Sequence, residues 1–584
     1  MCIFYKGIKM RTGITKKQHK LATFALLVIM LLIAAYIRLQ GTSYDITALK
    51  GTDSVRYVHQ AKQIAEAGYM PKIDKFRYAP LGRRTANQLT VYPYTIAAIY
   101  RLINLSGVDC KIEYIAIVLP VAFFILTALT IYILVWHVFD NYTALLSVNI
   151  AILAPPVVVK TASGSADRDS IVLLLSTVSF LFYILSHLSN FDGKRWFFRS
   201  MSTFFMLLTV LTWRGAGIFI FIIVTVEFIR LLLDYSYSFR ESGLLACWVL
   251  PISLGAIILK PDVYRHFAQP HVFVAIIYPL LILFVSVLVS VIQHVKVMKK
   301  LLSFHNRLPI GMILTLLSGS VFFALTYVIG TGDLIDTLIE RFISPFGTDP
   351  LFQTIDELQK LGALGWSLYP GVFFIPMAVG LLLIVRDICK YLDLHQYWTM
   401  SFVEIIIFGV AFSRLFSDAS MASFTENSVT LTIYWASIGI GVFGLISGTT
   451  HAYFRRNIDN PIVITRVIWV KIFLALWCIF MLMLFRSAIR FAFLFVIPST
   501  ILGSYTIIWI LKRCIQKRKL SLIYILYAGS ILWQVYALFS SRMNWHYIHV
   551  SVYILLTALL IFTILLFIKY ILRPNILYKL GLVV

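Results

Sequence analysis

The run Tyr114-Ile-Ala-Ile-Val-Leu-Pro-Val-Ala-Phe-Phe-Ile-Leu-Thr-Ala-Leu-Thr-Ile-Tyr-Ile-Leu-Val-Trp136 contains no charged side chain. Coiled as a helix, it is long enough to cross the roughly 30 Å of a bilayer's hydrocarbon core, where only internally hydrogen-bonded backbone is tolerated. Comparable runs recur almost from end to end. Charged residues make up only 13% of the 584 positions, about half the share of a soluble globular domain, and the mean hydropathy is +0.86. Strand-like alternation is absent, so the composition predicts an all-α, polytopic helical membrane protein.

With the N-terminus inside, spans are expected at 21–38, 114–136, 143–159, 170–187, 201–213, 215–233, 244–260, 271–293, 309–330, 369–385, 400–416, 429–449, 467–485, 491–511, 521–540 and 550–569. The formal charge of +25 then falls mostly in the inside loops, in clusters such as Lys194/Arg195/Arg199, Lys296/Lys299/Lys300/Arg307, Arg455/Arg456/Arg466 and Lys512/Arg513/Lys517/Arg518/Lys519. This is the positive-inside bias. It accounts for the basic excess without nucleic acid, for which no binding module is visible. The six cysteines are scattered without a C-x-x-C pair, which indicates neither a zinc site nor a disulfide framework. A basic N-terminus precedes the apolar run from Leu21, which ends in Tyr36-Ile-Arg-Leu without a small-residue cleavage site. We read it as an uncleaved first span.

The long outer loop, 39–113, opens with Asp53-Ser-Val-Arg-Tyr-Val-His-Gln-Ala-Lys-Gln-Ile-Ala-Glu-Ala-Gly68. Val55, Val58, Ala61, Ile64 and Ala65 have helical spacing and Gly68 is a C-cap, which places Asp53 near a helix start. Val91 to Leu105 reads as an apolar helix on the outer surface, too short and too broken by Pro93 for a span.

Three sets of acids fall in outer loops on this topology: Asp53, the pair Asp167/Asp169, and Asp356/Glu357 in loop 331–368. Acids at a bilayer edge are costly unless solvated, paired or bound to metal. Gly164-Ser-Ala-Asp-Arg-Asp-Ser170 precedes an apolar helix, where the helix dipole favours negative charge. Taken alone it is an acidic cap, but D-x-D in a turn also sets two carboxylates on one hard cation, Mg2+ or Mn2+. Thr354-Ile-Asp-Glu357 alone is a polar loop with a solvated helix start. Arg490 ends an apolar stretch, as a snorkelling residue or an anion ligand. Gly439-Ile-Gly-Val-Phe-Gly444 matches a dinucleotide pattern but sits inside an apolar helix, where close packing is the expected use. Glu227 and Glu404 lie within or near spans, where pairing would be one way to bury them, and the sequence names no partner for either.

Taken together, these residues resemble the catalytic subunit family of oligosaccharyltransferases, GT-C membrane enzymes that move a glycan from a polyprenyl-linked donor to asparagine. The matching pieces, in the family's order, are Asp53-Ser-x-x-Tyr57, Lys75-Phe-Arg-Tyr-Ala-Pro-Leu-Gly82, Asp167-Arg-Asp169, Trp213-Arg-Gly215, Thr354-Ile-Asp-Glu357 and Arg490-Phe491 followed by Pro498. The likeness covers roughly residues 20–511, and the wording around Arg77 is closer to archaeal members.

The resemblance implies a divalent metal, Mn2+ or Mg2+, held by Asp53, Asp167, Asp169 and Glu357. Asp53 and Glu357 would be catalytic, Arg490 would bind the lipid phosphate, and Thr354 and Asp169 would contact the acceptor. The implied partners are a lipid-linked oligosaccharide, an acceptor polypeptide and membrane lipids, with the site on the extracytoplasmic face. The family's W-W-D-Y-G motif is not found. We therefore expect residues 1–511 to form the transferase region and 512–584 additional spans, without a C-terminal soluble domain and with room for an accessory subunit in acceptor recognition. The rival readings are a transferase using a polyprenyl-phosphate sugar to modify a glycan or protein hydroxyl, and a lipid or solute transporter.

Overall fold

The computed structural model describes residues 16–40, 42, 48–233, 238–266, 269–294, 359–361, 374–392, 396–413, 422–423, 428–455 and 465–514. Thr354, Asp356 and Glu357, most of loop 331–368, and the expected spans at 309–330, 521–540 and 550–569 lie outside these residues.

Among the described residues the chain is almost wholly helical. Helix α1 (Lys16–Leu39) is followed by α2 (Gly51–Ala67), a two-residue hairpin of β1 (Ile73–Asp74) and β2 (Arg83–Arg84), and α3 (Val91–Leu105). Then come α4 (Ile112–Val138), α5 (Asn141–Leu153), α6 (Pro155–Thr161), α7 (Arg168–Leu188), α8 (Asp192–Val210), α9 (Gly217–Leu233) and α10 (Phe239–Leu259). The short α11 (Pro261–Tyr264) and α12 (Pro270–Val272) lead through a π-helical stretch, Phe273–Ile277, into α13 (Tyr278–His294). The second half holds β3 (Lys360–Leu361), α14 (Phe374–Leu392), α15 (Gln396–Phe412), β4 (Ala422–Ser423), α16 (Ser428–Arg455), α17 (Arg466–Ser487) and α18 (Ala492–Cys514).

Nine of these stretches are long and apolar enough to cross a membrane, ten with α5 and α6 counted as one bent span. The 65° bend there has a local cause. Pro155 disfavours helical backbone at Ala154, which is extended (φ −65°, ψ 116°), yet itself opens α6 at a tolerated first-turn position. Three other helices at expected spans are not among these stretches over the described residues, and the expected spans 369–385 and 400–416 run partly outside those residues. α8 carries Asp192, Lys194, Arg195 and Arg199 in its first turns, α14 carries Arg386, Asp387 and Lys390, and the apolar part of α15 is only Thr399–Ala411.

Packing inside the bundle is aromatic. Phe180 of α7 meets Phe219 of α9 and Phe473 and Trp477 of α17, with ring centroids 5.8, 5.0 and 4.9 Å apart. In lipid such contacts hold helices together by dispersion and shape rather than by removing apolar surface from water. Gly441 and Gly444, from the dinucleotide-like pattern, face α15: a Cβ at either would meet Ile406 or the Phe402 ring at 2.2 Å. The pattern is a helix-packing surface, as its apolar setting implies.

A second core covers one end of the bundle. Tyr57, Val58, Ala61 and Ile64 of α2 and Tyr92, Ile96 and Ala97 of α3 bury against Ile112, Ala116 and Phe123 of α4 and Ala166, Ile171 and Leu175 around α7. The α3 helix thus forms as expected, with Pro93 tolerated in its first turn. One expectation shifts. Val55 is exposed, and Tyr57, edge-on to Tyr92 at 5.2 Å, fills the apolar face instead.

Within the other half of the bundle, Glu227 has the partners that its burial demands. It accepts hydrogen bonds from Arg199 (3.0 Å) and Tyr183 (3.0 Å), lies 3.4 Å from His187, and reaches Arg230 at 3.6 Å. Arg230 also pairs with Glu241 at 2.8 Å, as does Arg195. Glu404 has no ion-pair partner among the described residues.

Candidate active site at one end of the bundle

The first acid is set by α2. Asp53 stands in its first turn, where the dipole favours a carboxylate, and is 3.1 Å from Arg56 one turn on. Gly68 closes the helix in the left-handed conformation (φ 85°), its N–H returning to Ile64. The second and third acids are set by α7. Asp167 is its N-cap, accepting the Arg168 N–H at 2.6 Å, and Asp169 lies buried in the first turn.

The loop before α7 is stitched to the segment before α2. Gly164 has φ +80°, and a Cβ there would stand 2.0 Å from the Ala48 carbonyl oxygen. This close approach lets the Gly164 carbonyl accept the Lys50 N–H at 2.8 Å while its own N–H donates to Ile117 at 3.0 Å. Next to it, the Ser163 N–H donates to the Arg38 carbonyl at 2.9 Å. Arg38 itself is fully buried, donating to Thr161 (2.8 Å) and Ile152 (3.2 Å) under the Phe124 ring. The ends of α1, α4 and α6 therefore fix where both acidic segments sit.

Two further motifs, around Arg490 and Trp213, arrive at the same end. Arg490, in a short 3-10 turn before α18, brings Nη2 to 3.7 Å from Asp169 Oδ1. The neighbouring Ile489 N–H donates to the Gln359 carbonyl at 2.9 Å. Trp213-Arg-Gly215 forms the turn into α9, with the Trp213 ring 6.5 Å from the Phe491 ring.

The acids at this end sit among cations: Arg56 pairs with Asp53, and Lys160 and Arg490 approach Asp169. Burial first, then the Asp169 carboxylate and more weakly Asp53, raise the Asp167 pKa to about 6 against the opposing pull of Arg168. The Tyr57 phenol is raised too, mainly by burial. Lys160 Nζ lies 3.2 Å from Asp169 Oδ2, but off the hydrogen-bonding direction, so that buried oxygen makes no hydrogen bond.

These donors are hard oxygens, one of them without a hydrogen bond, and by their chemistry suit Mg2+ or Mn2+ better than a soft metal. Among the described residues, however, no three His, Cys, Asp or Glu side chains stand close enough together to hold an ion. Asp167, Asp169 and Arg490 come together at the start of α7, and Asp53 is near enough to influence Asp167; Thr354 and Glu357 lie outside the described residues. Lys160 was not among the residues singled out by sequence. Its signal was legible, because a lysine following Val157-Val-Val159 in an apolar segment needs a partner.

Comparison with known proteins agrees with this architecture. Residues 20–414 match the family described as oligosaccharyl transferase STT3, N-terminal. The Archaeoglobus fulgidus oligosaccharyltransferase in its apo form is similar in fold, with a TM-score of 0.55 and 14% identity over 91% of this chain and 56% of that one. So is the archaeal oligosaccharyltransferase AglB of that organism in complex with an inhibitory peptide and a dolichol-phosphate: TM-score 0.54, 15% identity, 94% of this chain and 56% of that one. The Archaeoglobus fulgidus enzyme tethered to an acceptor peptide containing the NVT sequon gives 0.51 and 15% over 91% and 55%. This chain thus spans a little over half the length of these solved proteins. No curated protein matches the sequence. With its GT-C-type helical fold and a match over most of its length, the chain belongs to the oligosaccharyl transferase STT3 family of glycosyltransferases.

Proposed function

We propose that this chain transfers an oligosaccharide from a polyprenyl phosphate or pyrophosphate carrier to a protein asparagine, with a divalent metal, on the extracytoplasmic face of its membrane. The observation that carries the reading is the 3.7 Å approach of Arg490 to Asp169, beside Asp167 at the start of the same helix and with Asp53 near enough to influence Asp167. Donor and acceptor classes follow those of the Archaeoglobus fulgidus protein, which has been captured with a dolichol-phosphate and with a sequon peptide.

A departing polyprenyl phosphate gains negative charge, and Arg490 meets that charge as it develops. Asp53, Asp167 and Asp169, with Glu357 two residues before Gln359, would hold Mn2+ or Mg2+, which supplies further stabilisation of the leaving phosphate. Asparagine's amide nitrogen is a poor nucleophile because its lone pair is shared with the carbonyl. Asp53 and Glu357 would accept its N–H bonds and weaken that conjugation, while Thr354 and Asp169 would contact the acceptor. An accessory subunit can contribute acceptor recognition.

The test is incubation of the purified protein with a lipid-linked oligosaccharide and an asparagine sequon peptide, with and without Mn2+. Glycopeptide should form with the parent and the metal and fall by about a hundredfold or more in Asp53→Ala and Glu357→Ala. Equal product in all samples would refute the metal site, and no product from the parent would refute the acceptor.

A further inference from the structure

Beside Asp167, but separate from the contact between Arg490 and Asp169, lies a cavity of about 350 Å3 whose lining includes five arginines and no carboxylate: Arg56, Arg77, Arg83, Arg168 and Arg214. They come from four places in the chain. Arg56 is on α2, Arg77 and Arg83 are on the hairpin, Arg168 begins α7, and Arg214 is in the turn before α9. Arg56 is balanced by Asp53, at 3.1 Å. Among the described residues Arg77, Arg83, Arg168 and Arg214 have no carboxylate within ion-pair distance. Arg214 donates to the Asn87 carbonyl at 2.9 Å, and Arg83 lies over the Tyr78 ring at 5.4 Å.

Arg168 is offset by the neighbouring Asp167, Asp169 and Asp53 carboxylates, whereas Arg77 stands among like charges. The Arg77 pKa is lowered by burial and then by the neighbouring Arg83 and Arg56. The fold supports the arrangement all the same. Buried Asp74 accepts the Phe76 N–H at 3.2 Å and lies 3.3 Å from His59, which fixes the hairpin that presents Arg77 and Arg83 to the cavity. Planar guanidinium groups converging on one space suit a bidentate oxyanion. The volume is that of a small organic ligand site rather than of a lone ion. Tyr57 and Trp213 in the same wall add aromatic faces for the C–H side of a sugar ring.

We propose that this cavity binds an acidic sugar of the donor glycan, one bearing a carboxylate or a sulfate, and so selects donors by charge as well as by their carrier. The assignment rests on the transferase reading for the source of the glycan. The recognition chemistry itself is independent of turnover.

The experiment uses the full chain in lipid nanodiscs and measures calorimetric binding of three probes: digalacturonate, its neutral methyl ester, and inorganic pyrophosphate. Digalacturonate should bind, and its ester should bind about tenfold or more weaker, since charge-assisted hydrogen bonds are lost. Arg77→Gln/Arg83→Gln should weaken the acid by a similar factor. Arg77→Lys/Arg83→Lys, which keeps charge but not the bidentate fork, should fall between, and it decides the matter if the glutamine variant unfolds. Pyrophosphate should not displace the acid. Absence of acid binding up to millimolar concentration, equal binding of acid and ester, arginine variants that bind like the parent, or displacement by pyrophosphate would each overturn the proposal. The last outcome would make the cavity a carrier-phosphate site. Failure of glycopeptide formation with intact acid binding would instead count against the transferase reading alone.

Discussion

The Lys50 N–H donates to the Gly164 carbonyl across 2.8 Å, and this one bond ties the start of the Asp53 helix to the loop that leads into Asp167 and Asp169. The bond is possible because Gly164 has φ +80° and no Cβ to strike Ala48. Gly164→Ala should destabilise the protein by about 1–3 kcal/mol from backbone strain. The added methyl also pushes the two acidic segments apart, so kcat/KM for peptide glycosylation should fall about a hundredfold, the usual result of a misplaced constellation. Thermal unfolding and initial rates measure the two effects. A variant with parental rates would show that the stitch does not position the site.

Asp167 sets a pH dependence whose sign is fixed by its environment. Burial and neighbouring carboxylates raise its folded pKa to about 6, above the ~3.9 of an unfolded aspartate. The folded metal-free protein therefore holds the proton more tightly, and this residue's contribution to stability improves as pH falls from 7 through 6, levelling off below the unfolded value. A divalent cation stabilises the ionised form and should oppose the trend. The measurement is the melting temperature between pH 7 and 5, without metal, in the parent and in Asp167→Asn. The parent should gain relative to the variant on acidification. A constant difference between the two curves would contradict the raised pKa.

The membrane architecture was legible because it follows from run length and charge, which composition records directly. Asp53, Asp167, Asp169 and Arg490 were legible as a set only through their order and the side of the membrane that the spans imply. The approach of Arg490 to Asp169 and the tie between the Asp53 helix and the loop before Asp167 depend on bonds that no local pattern encodes, such as Ile489 to Gln359 and Lys50 to Gly164. The partners of Glu227 were hidden for the same reason: Tyr183, His187 and Arg199 reach it from α7 and α8, across 28 to 44 residues of sequence. The 65° break between α5 and α6 was read as a continuous span because apolar content outweighed Pro155-Pro156 in that reading.

That Glu227 cluster makes a stability prediction separate from the site. Its carboxylate offsets Arg199 and Arg230 deep in the bundle, so neutralising it leaves buried cations uncompensated. Glu227→Gln should cost about 3–5 kcal/mol, read as early thermal unfolding in detergent. An Arg199→Met/Glu227→Met double variant, which removes one charge of each sign, should recover much of that loss. A single variant as stable as the parent would mean that the network carries no net weight.

Lys160 and Arg490 both approach Asp169, at 3.2 and 3.7 Å, and a cation so close to the carboxylate that we propose as a metal ligand would compete with the metal. Lys160→Met should therefore lower the melting temperature of the metal-free protein, because buried Asp169 loses a compensating charge. The same change should tighten Mn2+ binding, by about tenfold for a loss of roughly 1.4 kcal/mol of competing attraction. Titration of the melting temperature with MnCl2 separates the two effects: the variant starts lower, responds at lower concentration, and gains more at saturation. If the midpoint of the titration is unchanged, Lys160 is not a rival of the ion, and Asp169 is a structural partner of the lysine rather than a ligand.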